Sequence, residues 1–65
     1  MNNLSIVLCS YNEEKFIKKT LVKLLEKEII NEIVIVDDNS KDQTINIIQS
    51  IRSNKIKLFI RKDIR

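Results

Sequence analysis

The chain has 65 residues, 43% hydrophobic and 32% charged, with a formal net charge of +3 at pH 7. That balance describes one small globular domain or a piece of one, excludes a disordered tail, and gives little weight to nucleic acid as a partner. No apolar run approaches the ~18 to 20 residues that cross a bilayer, Met1-Asn2-Asn3 lacks the basic start of a signal peptide, and the lone Cys9 cannot form an internal disulfide, so a reduced, cytoplasmic setting is expected.

A chain of this size buries only roughly 60% of its unfolded surface, so its core is expected to be marginal. Gly and Pro are both absent. Asparagine takes over turn positions: Asn31 and Asn54 each fall between a helical pattern and a strand, where a left-handed residue is expected. Thirteen isoleucines and nine lysines suggest an A- and T-rich gene and say nothing of function.

The first predicted strand is Leu4-Ser5-Ile6-Val7-Leu8-Cys9, with Cys9 expected as a small buried hydrophobe at its end. Ser10-Tyr11-Asn12-Glu13 follows, offering Asn12 as an N-cap or Ser10 with Glu13 as a capping box. A helix is predicted from about Glu13 to Glu28, because Ile17, Leu21, Leu24 and Leu25 recur at helical spacing while Lys15, Lys18, Lys19, Lys23 and Lys27 face outward. Glu13 and Glu14 in its first turn suit the helix dipole.

After a turn at Ile29 to Glu32 comes the central unit. Ile33-Val34-Ile35-Val36 is a continuous β-branched run, as in a parallel strand covered on both faces, and it ends in Asp37-Asp38-Asn39-Ser40. Ser40 and Gln43 fit a capping box for a second helix, whose start is expected to expose amides able to hold a carboxylate, and whose apolar side carries Thr44, Ile45, Ile48 and Ile51, widened by Ile47. A third strand, Ile56 to Ile60, alternates as an edge strand does, with Phe59 interrupting its polar side.

Strand-helix-strand-helix-strand predicts an α/β domain with a three-stranded parallel sheet of order 3-2-1 and two right-handed crossover helices, the Rossmann-like half of a doubly wound fold. Ligands bind at the carboxyl ends of such strands. Tyr11-Asn12-Glu13 and Asp37-Asp38 are therefore expected to converge on one crevice.

These two stretches, Ser5-Ile6-Val7-Leu8-Cys9-Ser10-Tyr11-Asn12-Glu13-Glu14 and Glu32-Ile33-Val34-Ile35-Val36-Asp37-Asp38-Asn39-Ser40-Lys41-Asp42-Gln43-Thr44, resemble the amino-terminal part of the family 2 inverting glycosyltransferases of the GT-A fold. That group includes dolichyl-phosphate mannosyltransferase-like enzymes and bacterial polysaccharide synthases. The resemblance covers essentially all of residues 1–65 and implies the nucleotide-binding half of a glycosyltransferase that uses a UDP- or GDP-linked sugar.

It also implies a nucleotide-contacting set. Tyr11 would pack on the base, Glu13 would contribute to the pocket, Asp38 would accept a hydrogen bond from a ring N–H of uracil or guanine, Asp37 would orient the loop, and Cys9 would touch the nucleotide through its backbone. Asn39 stands where Gly is more usual, as a positive φ allows.

The family carries a later Asp-x-Asp that binds Mg²⁺ or Mn²⁺, and further on an acidic catalytic base. After Asp42 the only acidic residue is Asp63, and it forms no Asp-x-Asp. The expectation is an amino-terminal piece without catalytic residues of its own, inactive alone. An unpaired first strand predicts edge-strand association, and the basic segment from Lys55 to Arg65 leaves room for an anionic membrane face as a partner.

Plainer readings compete at each position. Asp37-Asp38 can be a solvated turn, Tyr11 a half-buried aromatic, Glu13 a first-turn carboxylate, and the whole chain a non-catalytic remnant. A phosphoacceptor receiver domain also has an apolar strand ending in two acids, but there the pair closes the first strand. A dinucleotide-binding Rossmann module needs glycines that this chain lacks.

Overall fold

The computed structural model describes residues 4–62; Met1, Asn2, Asn3 and Asp63, invoked above, lie outside them. Three strands and two helices alternate: β1 (Leu4–Ser10), α1 (Ile17–Leu25), β2 (Ile30–Asp37), α2 (Thr44–Ser50) and β3 (Ile56–Ile60). The strands form one parallel sheet with β2 in the centre, which is the predicted α/β topology.

The register explains which side chains make the core. Ile6, Ile33 and Ile56 lie side by side across the sheet, as do Leu8, Ile35 and Leu58. These rows face Ile17 and Leu21 of α1 and Ile48 of α2, and Leu21, Ile33 and Ile35 are fully buried. Each such side chain contributes about 1.5–3 kcal/mol relative to its exposed state.

Successive strand residues point to opposite faces. The opposite rows are Val7, Val34 and Lys57, then Cys9, Val36 and Phe59. Here Val7 is 67% and Phe59 59% exposed. The apolar run of β2 is therefore covered on one face only, since both helices contribute to a single core, and the expectation of two covered faces is corrected. Cys9 is corrected with it, being exposed on the open face.

Some boundaries also shift. β2 begins at Ile30, so of the segment read as a turn only Ile29 is one, and Ile30, Asn31 and Glu32 are already strand. α1 is shorter than predicted at both ends, although the Ile17 amide already donates to the Glu13 carbonyl at 2.9 Å, so helical bonding does begin near Glu13. Among the described residues positive φ occurs at Asn12 and Asn39, whereas Asn31 and Asn54 adopt no left-handed conformation.

Candidate functional site at the strand ends

β1 and β2 finish level, with Ser10 beside Asp37, and the Asp38 amide extends the ladder by donating to the Ser10 carbonyl at 2.9 Å. Strand alternation then gives the two acids different surroundings. Asp37 turns into the helix-covered side and is fully buried. Its carboxylate accepts from the Ser10 hydroxyl at 2.6 Å, the Ser40 amide at 2.7 Å and the Ser40 hydroxyl at 2.7 Å. An acceptor-only group surrounded by three donors is a loop anchor. The left-handed turn at Asn39, φ 61°, closes the chain around it.

The loop after β1 and the loop after β2 cap each other. The amides of Asn12 and Glu13 donate to the Ser40 and Thr44 hydroxyls at 2.9 and 2.7 Å, and the Glu14 amide donates to Asp42. In return, the Lys41 amide donates to Asn12 Oδ1 at 2.7 Å and the Gln43 amide to Glu14 Oε1 at 2.9 Å. Neither predicted capping box forms, and neither helix has a side-chain cap at its N-cap residue. Ser, Asn, Thr and Asp still do the capping that their chemistry favours, but they do it across the two loops. The amides around Ser40 are thereby engaged within the protein: Ser40 on Asp37, Lys41 on Asn12, Gln43 on Glu14 and Thr44 on Asp42.

Desolvation pushes the Asp42 carboxyl upward. Hydrogen bonds from the Thr44 hydroxyl, the Thr44 and Glu14 amides and its own amide outweigh that effect and hold it below the ordinary 3.8.

On the other side of this interlock lies a pocket of about 240 Å³. Cys9, Ser10, Tyr11 and Glu13 line it from the end of β1, and Val36 and Asp38 from the end of β2. Four of the five residues singled out from the sequence thus meet in one place, and Asp37 stays behind the wall. Tyr11 is half exposed. The volume falls below the roughly 300–1,000 Å³ of complete small-molecule sites.

Sequence reasoning missed Arg61. Its amide continues the β2–β3 ladder by donating to the Asp37 carbonyl at 2.7 Å, and its Nε donates to Asp38 Oδ1 at 3.1 Å. Arg61 lines the same pocket. The signal lay in the predicted strand order, which sets the end of the third strand beside the acidic pair.

Among the described residues no group of three His, Cys, Asp or Glu side chains is placed to hold a metal ion.

A parallel α/β unit with a ligand crevice at the carboxyl ends of its strands is a Rossmann-like half-domain. This chain belongs to Glycosyl transferase family 2, whose sequence pattern it matches over residues 5–64. It is similar to the poly(ribitol-phosphate) beta-N-acetylglucosaminyltransferase TarS of Staphylococcus aureus strains Mu50 and MW2. Each is 38% identical over 63 residues, covering 92% of this chain. The chain spans 11% of the length of these relatives.

Proposed function

We propose that this chain supplies the nucleotide-binding half of a glycosyltransferase that takes a hexosyl group from a UDP- or GDP-linked sugar. The convergence of Tyr11, Glu13 and Asp38 on one pocket carries this reading. A uracil or guanine ring presents an imide N–H, and an ionised carboxylate, which only accepts, is its matching partner. The Tyr11 ring supplies a flat apolar surface for the base, and Cys9 lines the same pocket. Asp37 acts one step back by fixing the loop that carries Asp38.

Transfer itself needs a metal-binding acidic motif and a base for the acceptor hydroxyl. The sequence contains no Asp-x-Asp. Donor binding is therefore the share of the reaction assigned to this chain, and the isolated chain is expected to be inactive. The basic segment from Lys55 to Arg65 supports a working place at the cytoplasmic face of an anionic membrane, and the free edge of β1 supports self-association.

Titration with UDP and GDP tests the reading. Tyr11 is the sole tyrosine and tryptophan is absent, so fluorescence and NMR both report on the pocket. Asp38→Ala should weaken binding by about tenfold or more, the cost of losing a hydrogen bond to a charged group. Binding that ignores this substitution would overturn the assignment, and no binding at all would favour a non-catalytic remnant.

A further inference from the structure

We infer that Arg61 is a positioning residue of this pocket: by holding the Asp38 carboxylate it sets the acceptor that a nucleobase imide N–H must meet, and so sharpens discrimination between bases. This rests on the base-site reading above.

The geometry is specific. Arg61 is fixed at its backbone by the bond from its amide to the Asp37 carbonyl, next to the residue whose side chain it engages. Its Nε then reaches Asp38 Oδ1 at 3.1 Å, so that the pair bridges the end of β3 and the loop after β2 at the pocket wall. Asp38 precedes Asn39, which is in the left-handed region, and so stands where the strand gives way to the turn. Arg61 engages this carboxylate from the side, and a carboxylate held before the ligand arrives removes part of the ordering cost from binding.

The ion pair is partly exposed, with side-chain exposures of 57% for Arg61 and 30% for Asp38. Exposed pairs add little to stability. The main effect of Arg61 is therefore expected on recognition. Uracil N3–H donates to a carboxylate held in place, whereas cytosine presents an N3 lone pair to the same oxygen and is repelled. A carboxylate held less firmly penalises cytosine less and rewards uracil less.

The test measures dissociation constants for UDP and CDP, together with thermal midpoints, in the 65-residue chain and its variants. The chain itself should prefer UDP. Arg61→Ala should reduce that preference by roughly fivefold, the upper range for an exposed pair, with little change in midpoint. Arg61→Lys, which keeps the charge but not the fixed Nε donor, should fall between. In an Asp38→Ala background Arg61→Ala should have no further effect on the preference.

Two results would overturn the proposal while leaving the base-site reading intact: an unchanged UDP-to-CDP ratio in Arg61→Ala, equal weakening of both nucleotides included, or tighter UDP binding, which would make the guanidinium an obstruction. A different pattern, no preference for UDP over CDP in the parent chain and no effect of Asp38→Ala on the binding of either UDP or GDP, would remove the base-site reading and this inference together.

Discussion

Asp37 and Asp38 are chemically identical neighbours, and strand alternation alone sends one into a cage of donors and the other to the pocket wall. Replacing Asp37 by Ala leaves the Ser10 hydroxyl and the Ser40 amide without their acceptor in a dry site. The expected loss is about 2–4 kcal/mol of unfolding free energy, measurable by chemical denaturation. At Asn39 the backbone carries the argument: with φ at 61°, Asn39→Ala should cost about 1–2 kcal/mol, and Asn39→Gly should be tolerated. The depressed Asp42 carboxyl has a direct consequence for acid stability. A group whose folded value lies below its unfolded one stabilises the fold fully above about pH 3.8, and that contribution disappears as pH falls through the folded value. Unfolding midpoints followed from pH 6 to 2 should drop on the acid side, and Asp42→Asn should flatten that part of the curve.

The strands were legible in the sequence because runs such as Ile33 to Val36 and Ile6 to Leu8 combine β-branched and apolar residues with turn-formers at their ends. The helix starts were not. Ser10, Asn12, Ser40 and Thr44 carry the right chemistry for caps, but a local window pairs Ser40 with Gln43, whereas the fold pairs Asn12 with Ser40 and Glu13 with Thr44 across 28 and 31 residues. Cys9 was misjudged for a related reason: a wholly apolar strand looks the same whether one face or two are covered, and only the placement of the helices decides. Arg61 became a site residue only once the end of β3 lay beside Asp38. The cross-loop capping makes its own prediction. Thr44 is fully buried, and its hydroxyl both accepts from Glu13 and donates to Asp42. Thr44→Val keeps the shape and removes both bonds, so it should lower stability by about 1–2 kcal/mol, with amide shifts spreading to residues 12–14 in NMR spectra.

For the molecule as a whole, one covered face and one open face define its behaviour. Among the described residues no helix is long and apolar enough to cross a membrane. The open side instead carries Val7 and Phe59, and β1 ends the sheet with Leu4 and Val7 exposed. The β3 edge carries Lys57, a charge that discourages edge pairing, whereas β1 has none. Sedimentation should therefore show concentration-dependent association that Val7→Lys reduces; a monomeric unfolding transition independent of concentration would contradict it. The cross-sealed loops also bear on local opening. Each loop shields donors belonging to the other, so a deuterium label should enter the amides of Asn12, Glu13 and Lys41 at a shared rate, slow until both loops part together, and nucleotide should slow all three in step.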